Sequence, residues 1–141
     1  MKILLSIFLG FTLLACTQKS AEGSSENQLS NAKIEFEEDS FDFGTLKEGD
    51  QVTHAFKFTN IGTEPLQIIS VNVSCGCTVA SKPMGDVAAG ASDQIVINFN
   101  STGKAGVNKK SVGVFSNAQN SQETLTFTAI VEAAENEGAG S

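Results

Sequence analysis

The chain has 141 residues, of which 40% are hydrophobic, and this is enough for one domain with a modest core but too little for two. Nine lysines, with no arginine, stand against 16 acidic residues, and the formal net charge of -7 opposes broad contact with phosphate backbones. Ten phenylalanines but no tryptophan or tyrosine leave few side chains that stack on sugars. Composition therefore argues against nucleic-acid and carbohydrate partners.

The first 16 residues are typical of an export signal. Lys2 gives a positive start, and residues 3–14 form an apolar run that is shorter than the roughly 18 to 20 residues needed to cross a bilayer. The sequence Leu13-Leu14-Ala15-Cys16 resembles the lipobox of bacterial lipoproteins. This resemblance implies that residues 1–15 are a signal peptide and that Cys16 is acylated as the mature N-terminus. The alternative is an ordinary signal peptide, and both interpretations predict export.

Two segments flanking the central region are too polar to fold. Residues 16–31 are rich in Ser, Glu, Asn and Gln and contain one large apolar residue, Leu29, so we predict a flexible, lipidated tether. Residues 133–141 are small and acidic, and we predict a disordered tail. The remaining residues, 32–132, have the size of one β-sandwich domain.

Within residues 32–132, apolar residues alternate with period two in short runs separated by Gly, Asn, Asp and Pro. No run keeps helical spacing, so we predict an all-β domain. Its first strand starts at Ile34, and two aromatic residues then share a face before a turn at residues 47–50. The strand over residues 51–60 directs four side chains to one face: Val52, His54, Phe56 and Phe58.

The following strands complete a predicted immunoglobulin-like β-sandwich of seven or eight strands. One strand runs from Leu66 to about Ser74, with Ile69, Val71 and Val73 on one face, and the same alternation continues to the two cysteines beyond it. Residues 104–110 hold three lysines and are predicted to form an exposed loop. Five side chains are expected to face inward between the sheets: Phe56, Phe58, Val71, Ile97 and Phe127.

An ordered series of short motifs runs through this domain. It consists of Phe41-Asp42-Phe43-Gly44, the strand over residues 54–60 with Gly62, Pro65-Leu66, and Ser74-Cys75-Gly76-Cys77-Thr78. The series resembles a family of bacterial envelope proteins defined as a domain of unknown function with a Cys-Gly-Cys-Thr signature. That family is similar in architecture to Hydin-like and major-sperm-protein-like immunoglobulin sandwiches. The resemblance covers roughly residues 34–131 and implies a lipoprotein or secreted protein with a binding or scaffolding role, but no known activity.

Cys75 and Cys77 are the candidate reactive pair, since Cys16 is assigned to the lipid. Residues two apart in an extended strand are separated by about 6.6 Å, which is near the upper limit for a disulfide, and Gly76 lets the backbone bend and shorten this distance. Three interpretations stay open: structural thiols or a structural disulfide, a redox-labile pair, and a site for Cu(I) or Zn²⁺.

His54 is the candidate third ligand of such a metal site. The following strand is predicted to return antiparallel beside it, so the end carrying Cys75 and Cys77 should approach His54, and its ring should reach at least one sulfur. Met84 is the one soft candidate for a fourth ligand. The competing interpretation is that His54, Cys75 and Cys77 have only structural roles.

No catalytic constellation accompanies the single histidine, because no G-x-S-x-G elbow is present, and we predict no enzymatic activity. The leading hypothesis is a binding or scaffolding module, held by lipid in the cell envelope, with the outer membrane as the expected location. Its expected partners are the membrane and another envelope protein, with no small-molecule substrate. No cofactor is expected beyond the lipid on Cys16. The competing hypothesis is a redox or metal-handling protein that uses Cys75 and Cys77.

Overall fold

A computed structural model describes residues 30–134. The predicted signal peptide, the lipidation site at Cys16, most of the tether and the end of the tail lie outside the described residues. Within the described range, no helix has the length and apolar character needed to cross a membrane.

Eight strands form two packed sheets of four strands each. The strands are β1 (Ile34–Phe36), β2 (Ser40–Lys47), β3 (Gln51–Asn60), β4 (Ile68–Val73), β5 (Thr78–Ser81), β6 (Ser92–Asn100), β7 (Gly106–Ser116) and β8 (Gln122–Glu132). The first sheet has the order β1-β3-β6-β5, and the second has the order β2-β8-β7-β4. Neighbouring strands are antiparallel except for β2 and β8, which are parallel. The predicted all-β, immunoglobulin-like sandwich is confirmed.

The core lies between the two sheets and consists of the side chains that alternate inward along the strands. Phe56, Phe58 and Ile97 are fully buried, and Phe127 is buried to within 1% of its surface. Val71 is half-buried and packs against this core. Each buried aromatic or branched side chain removes apolar surface from water, which stabilises the fold by roughly 1.5 to 3 kcal/mol per side chain. The five predicted core positions are thereby confirmed.

Strand β4 departs from the predicted alternation at its start. Ile68 is buried, but Ile69 is 58% exposed, so the prediction that Ile69 shares the inward face with Val71 and Val73 is wrong. The cause is a register irregularity against β7, where Ile68 pairs with Ser116 and the next paired residue is Ser70. A β-bulge inserts one unpaired residue and thereby shifts the inward face by one position.

Strand β7 begins earlier than the sequence indicates. Residues from Gly106 onward pair with β8, so the exposed loop predicted for residues 104–110 is wrong over most of its length. In this part of the strand Val107 is 81% exposed and Asn108 is buried, the reverse of the usual apolar-inward pattern. The strand therefore lacks the hydrophobic period from which strands are predicted.

Different segments of the chain meet at the two ends of the sandwich, which we call its poles. We call residues 30–34, 60–67 and 117–120 the N-terminal pole; there the N–H of Thr63 donates to the C=O of Asn31. We call residues 47–50, 74–77 and 101–105 the far pole; there the N–H of Ser101 donates to the C=O of Asp50. The last described residue, Ala134, also lies at the far pole, where its N–H donates to Glu48 Oε2 at 3.1 Å. The two ends of the domain are therefore at opposite poles.

Candidate functional site

The segment Cys75-Gly76-Cys77 forms a turn at the far pole between β4 and β5. The N–H of Thr78 donates to the C=O of Cys75 at 3.3 Å and closes the turn. The two cysteine Cα atoms are 5.4 Å apart, closer than two alternate residues of an extended strand. A Cβ atom at Gly76 would have no neighbour within 4 Å. The cysteines therefore do not continue the alternation of β4, because the backbone has already turned.

The sulfur atoms of Cys75 and Cys77 are joined in a disulfide. Both residues are half-buried, and Cys77 packs against the edge of the core. Thr78 is 3% exposed, and its Oγ1 lies 3.7 Å from Cys75 Sγ and 3.9 Å from Cys77 Sγ. The bond thus sits beside a buried hydroxyl that can donate a hydrogen bond to either sulfur.

Strand β6 supports the turn from one side. The N–H of Asn100 donates to the C=O of Cys77 at 3.0 Å, and Thr78 pairs with Phe99 in the ladder between β5 and β6. A shallow groove lies beside Cys77 on the outer side of the first sheet, where β3, β6 and β5 pair; its lining residues are Gln51, Gly76, Cys77, Val79, Asn98, Asn100 and Thr102. The groove is mostly lined by amide and hydroxyl groups, so a peptide backbone could hydrogen-bond there.

His54 has a different set of neighbours. Its ring stacks on Phe41 with centroids 3.5 Å apart and an interplanar angle of 10°. It also meets Phe56 edge-on, with centroids 4.8 Å apart. Nε2 forms a 2.8 Å hydrogen bond with Glu38 Oε1, on the connection between β1 and β2. Consequently His54 fastens that connection to β3, and only 17% of its side chain is exposed.

The predicted metal set of His54, Cys75 and Cys77 is not formed. Among residues 30–134, no group of three or more His, Cys, Asp or Glu side chains can hold a metal ion. The reason is topological: β4 does not return beside β3 but crosses to the other sheet and pairs with β7. Met84, the suggested fourth ligand, is fully exposed beside Ile69 and Pro83.

Thr78 belongs to the site but is not indicated by the sequence. Thr78 stands in the Cys-Gly-Cys-Thr motif, yet no role follows from its position alone, because threonine is common at the start of a strand. The available signal was its place directly after Cys77, which puts its hydroxyl near the sulfur of the preceding residue. Its burial depends on the pairing with β6, which the sequence does not reveal.

Comparison with solved structures finds the same fold at low sequence identity. A protein of unknown function from Porphyromonas gingivalis W83 is 18% identical with a TM-score of 0.66, over 75% of this chain and 51% of that one. PapD-like domain 7 of human CEP192 is 16% identical with a TM-score of 0.53, over 94% of this chain and all of that domain. The secreted serine protease VesC from Vibrio cholerae is 18% identical with a TM-score of 0.51, over 74% of this chain and 24% of the protease.

The chain thus spans about half of the Porphyromonas protein and about a quarter of VesC. At these identities the likeness concerns the fold alone. No curated protein matches the chain. One family model matches residues 34–131, which is more than half of the chain and includes all of β1 to β7 and nearly all of β8. The chain therefore belongs to the family described as "Protein of unknown function (DUF1573)".

Proposed function

We propose that the chain is a lipid-anchored protein of the cell envelope that binds or scaffolds another envelope protein and has no enzymatic activity. The observation that carries this proposal is the opposite placement of the two poles. The tether would join the domain at Asn31, on the N-terminal pole, while three turns lie at the far pole. If Cys16 carries lipid, the far pole is directed away from the membrane and toward a partner. The outer membrane is the proposed location.

An apolar pair near the far pole supports a protein partner. Val107 is 81% exposed and pairs directly with Ile130, which is 49% exposed, on the outer face of the second sheet. Single exposed apolar residues are common on soluble proteins, but adjacent ones form a patch that association would remove from water. We propose that this pair contributes to the contact with the partner.

The proposal of a non-enzymatic role agrees with the surroundings of His54, the one histidine of the chain. Its hydrogen-bond partner is the carboxylate of Glu38, and Phe41 stacks on one face of its ring. A histidine that activates a nucleophile needs, besides such a carboxylate, a serine or cysteine in hydrogen-bond reach of its other ring nitrogen, and within residues 30–134 the His54 ring has no hydrogen bond to either. The protease activity named for VesC is not transferred, because only 24% of that protein aligns with this chain.

Affinity purification of the lipidated protein from its own cells tests this function. Three forms should be compared: the natural chain, a Val107→Asp, Ile130→Asp double variant, and Ile61→Asp as a matched control. Ile61 is 45% exposed but lies at the N-terminal pole. We expect the same envelope protein to be recovered with the natural chain and with the control, and to be lost with the double variant. Equal recovery with all three forms would exclude Val107 and Ile130 from the contact, and no specific co-purifying protein would contradict the scaffold function.

A further inference from the structure

We propose that the Cys75–Cys77 disulfide is a thiol–disulfide exchange site for a dithiol protein, with attack at Cys77 and departure of Cys75 toward Thr78. The inference rests on the geometry of the turn. It requires neither the lipid anchor nor a partner at Val107 and Ile130.

A purely structural role explains this bond poorly. Stabilisation by a disulfide grows with the length of the loop it closes, and here only Gly76 separates the two cysteines. The turn is also held by hydrogen bonds that do not involve sulfur. The N–H of Thr78 donates to Cys75, the N–H of Asn100 donates to Cys77, and the N–H of Ser74 donates to Ser111. The backbone would therefore keep its course with the disulfide open.

The two cysteines differ in their surroundings. Cys77 and Gly76 line the groove beside β6, whereas Cys75 does not. The space around Gly76 is open, so a thiol on an extended segment can approach Cys77 along the groove. The amide side chains of Asn98 and Asn100 flank this approach and can hydrogen-bond an incoming backbone.

Thr78 favours Cys75 as the leaving group. Its hydroxyl is closer to Cys75 Sγ, at 3.7 Å, than to Cys77 Sγ, at 3.9 Å. A hydroxyl that donates to a sulfur stabilises the thiolate that forms when the bond breaks. Because Thr78 is 3% exposed, water does not easily replace that donor.

The exchange balances in two steps. First, a thiolate of the dithiol protein attacks Cys77 Sγ; a mixed disulfide forms, the Cys75–Cys77 bond breaks, and its electron pair leaves on Cys75 Sγ, which takes up a proton. The second thiolate of the dithiol protein then attacks that protein's own sulfur and releases Cys77, which is protonated in turn. The dithiol protein is oxidised by two electrons to a disulfide, and Cys75 and Cys77 become two thiols.

The test uses the full chain with Cys16→Ser, so that Cys75 and Cys77 are its only cysteines. Reduced glutathione serves as a monothiol probe that traps the mixed disulfide, and dithiothreitol serves as the dithiol. We expect dithiothreitol to open the bond while the far-ultraviolet circular dichroism stays unchanged. Peptide mass spectrometry should place the glutathione adduct on Cys77.

Variants of Thr78 test its role. Thr78→Val should slow exchange with glutathione several-fold and move alkylation of reduced Cys75 to higher pH, while Thr78→Ser should restore both. A merely structural role would not produce this pH shift and its rescue. Circular dichroism of each variant checks that the fold is kept. If Thr78→Val fails to fold, the position of the glutathione adduct on the chain with Thr78 unchanged still tests the direction of attack.

Three results would overturn the proposal. A bond that opens only after the domain is unfolded would show that it is not an exchange site. An adduct on Cys75 would reverse the direction of attack. Equal rates and pH profiles for Thr78→Val and the unaltered chain would remove Thr78 from the reaction.

Discussion

Asn60 shows how a single polar side chain organises the N-terminal pole. It is fully buried at the end of β3. Its Nδ2 donates to the C=O of Glu64 at 2.8 Å and of Val87 at 3.0 Å. Its Oδ1 accepts from the N–H of Gly62 at 3.0 Å and of Lys33 at 3.3 Å. All the hydrogen-bonding capacity of the amide is used on backbone groups of three different segments.

Replacing this side chain should therefore be costly. Asn60→Leu is close in volume but leaves buried backbone groups without partners, at about 1 to 3 kcal/mol for each unsatisfied group. We expect a loss of at least about 2 kcal/mol in the free energy of unfolding, measured by urea denaturation. Asn72→Leu is the control, because Asn72 is exposed on β4. Similar unfolding midpoints for the two variants would mean that the amide of Asn60 does not support this pole.

Gly62 and Gly76 form a second matched pair. A Cβ atom at Gly62 would collide with the backbone of Asn31 and Lys33, whereas at Gly76 it would meet nothing within 4 Å. Backbone atoms cannot move aside as a flexible side chain can, so Gly62→Ala should lower the thermal unfolding midpoint by several degrees. Gly76→Ala should leave it almost unchanged. A larger decrease in the unfolding midpoint for Gly76→Ala than for Gly62→Ala would contradict the close contact between Gly62 and the backbone of Asn31 and Lys33.

At the scale of single strands, the β-bulge in β4 provides a direct test of which side chains face inward. Ile68 is 1% exposed and Ile69 is 58% exposed, although they are adjacent and chemically identical. Ile68→Lys would bury an unpaired charge and should prevent folding or cost more than about 4 kcal/mol. Ile69→Lys should change the free energy of unfolding by no more than about 0.5 kcal/mol. Chemical denaturation measures both changes. If the bulge position is wrong, Ile69→Lys will show the large loss of stability and Ile68→Lys the small one.

The same strands show what can be predicted from the sequence. In β3 the alternation of Val52, His54, Phe56 and Phe58 defines the inward face, since every second residue is apolar or aromatic. At the start of β7 the alternation is inverted, because Val107 faces outward and Asn108 faces inward. The beginning of this strand therefore cannot be recognised from its hydrophobic pattern. A bulge, such as the one at Ile69, leaves no mark in hydrophobic alternation because it depends on the partner strand.

The candidate site was predictable to a similar extent. The spacing of Cys75 and Cys77 around Gly76 shows that a disulfide between them is possible, because this depends only on local geometry, but it does not decide between the bond, free thiols and a metal site; the structure shows the bond. Whether His54 lies near the two cysteines cannot be derived in this way, because it depends on whether β4 joins the sheet of β3 or crosses to the other sheet. Local features are encoded within a few residues, whereas the pairing of sheets is decided by the packing of the whole core.

For the whole molecule, the central prediction concerns Cys16. The preceding residues, Leu13-Leu14-Ala15, resemble a lipobox, and acylation should place the protein in the detergent phase of a Triton X-114 separation. Cys16→Ser should move the protein to the aqueous phase or leave it unprocessed at higher mass. Cys75→Ser should not alter the partitioning. If Cys16→Ser partitions as the natural chain does, the lipid anchor is wrong, although the fold is unaffected.

A force applied between the two poles runs parallel to the strands. Because β1 belongs to one sheet and β2 to the other, a pull on the N-terminal end acts first on the ladder between β1 and β3 and then on the ladder between β2 and β8. Both ladders are loaded lengthwise, so their hydrogen bonds share the tension and must break together instead of opening one after another like a zipper. If Cys16 carries lipid and a partner binds at the far pole, as proposed, this arrangement would let the domain transmit tension between the membrane and that partner while it keeps its fold.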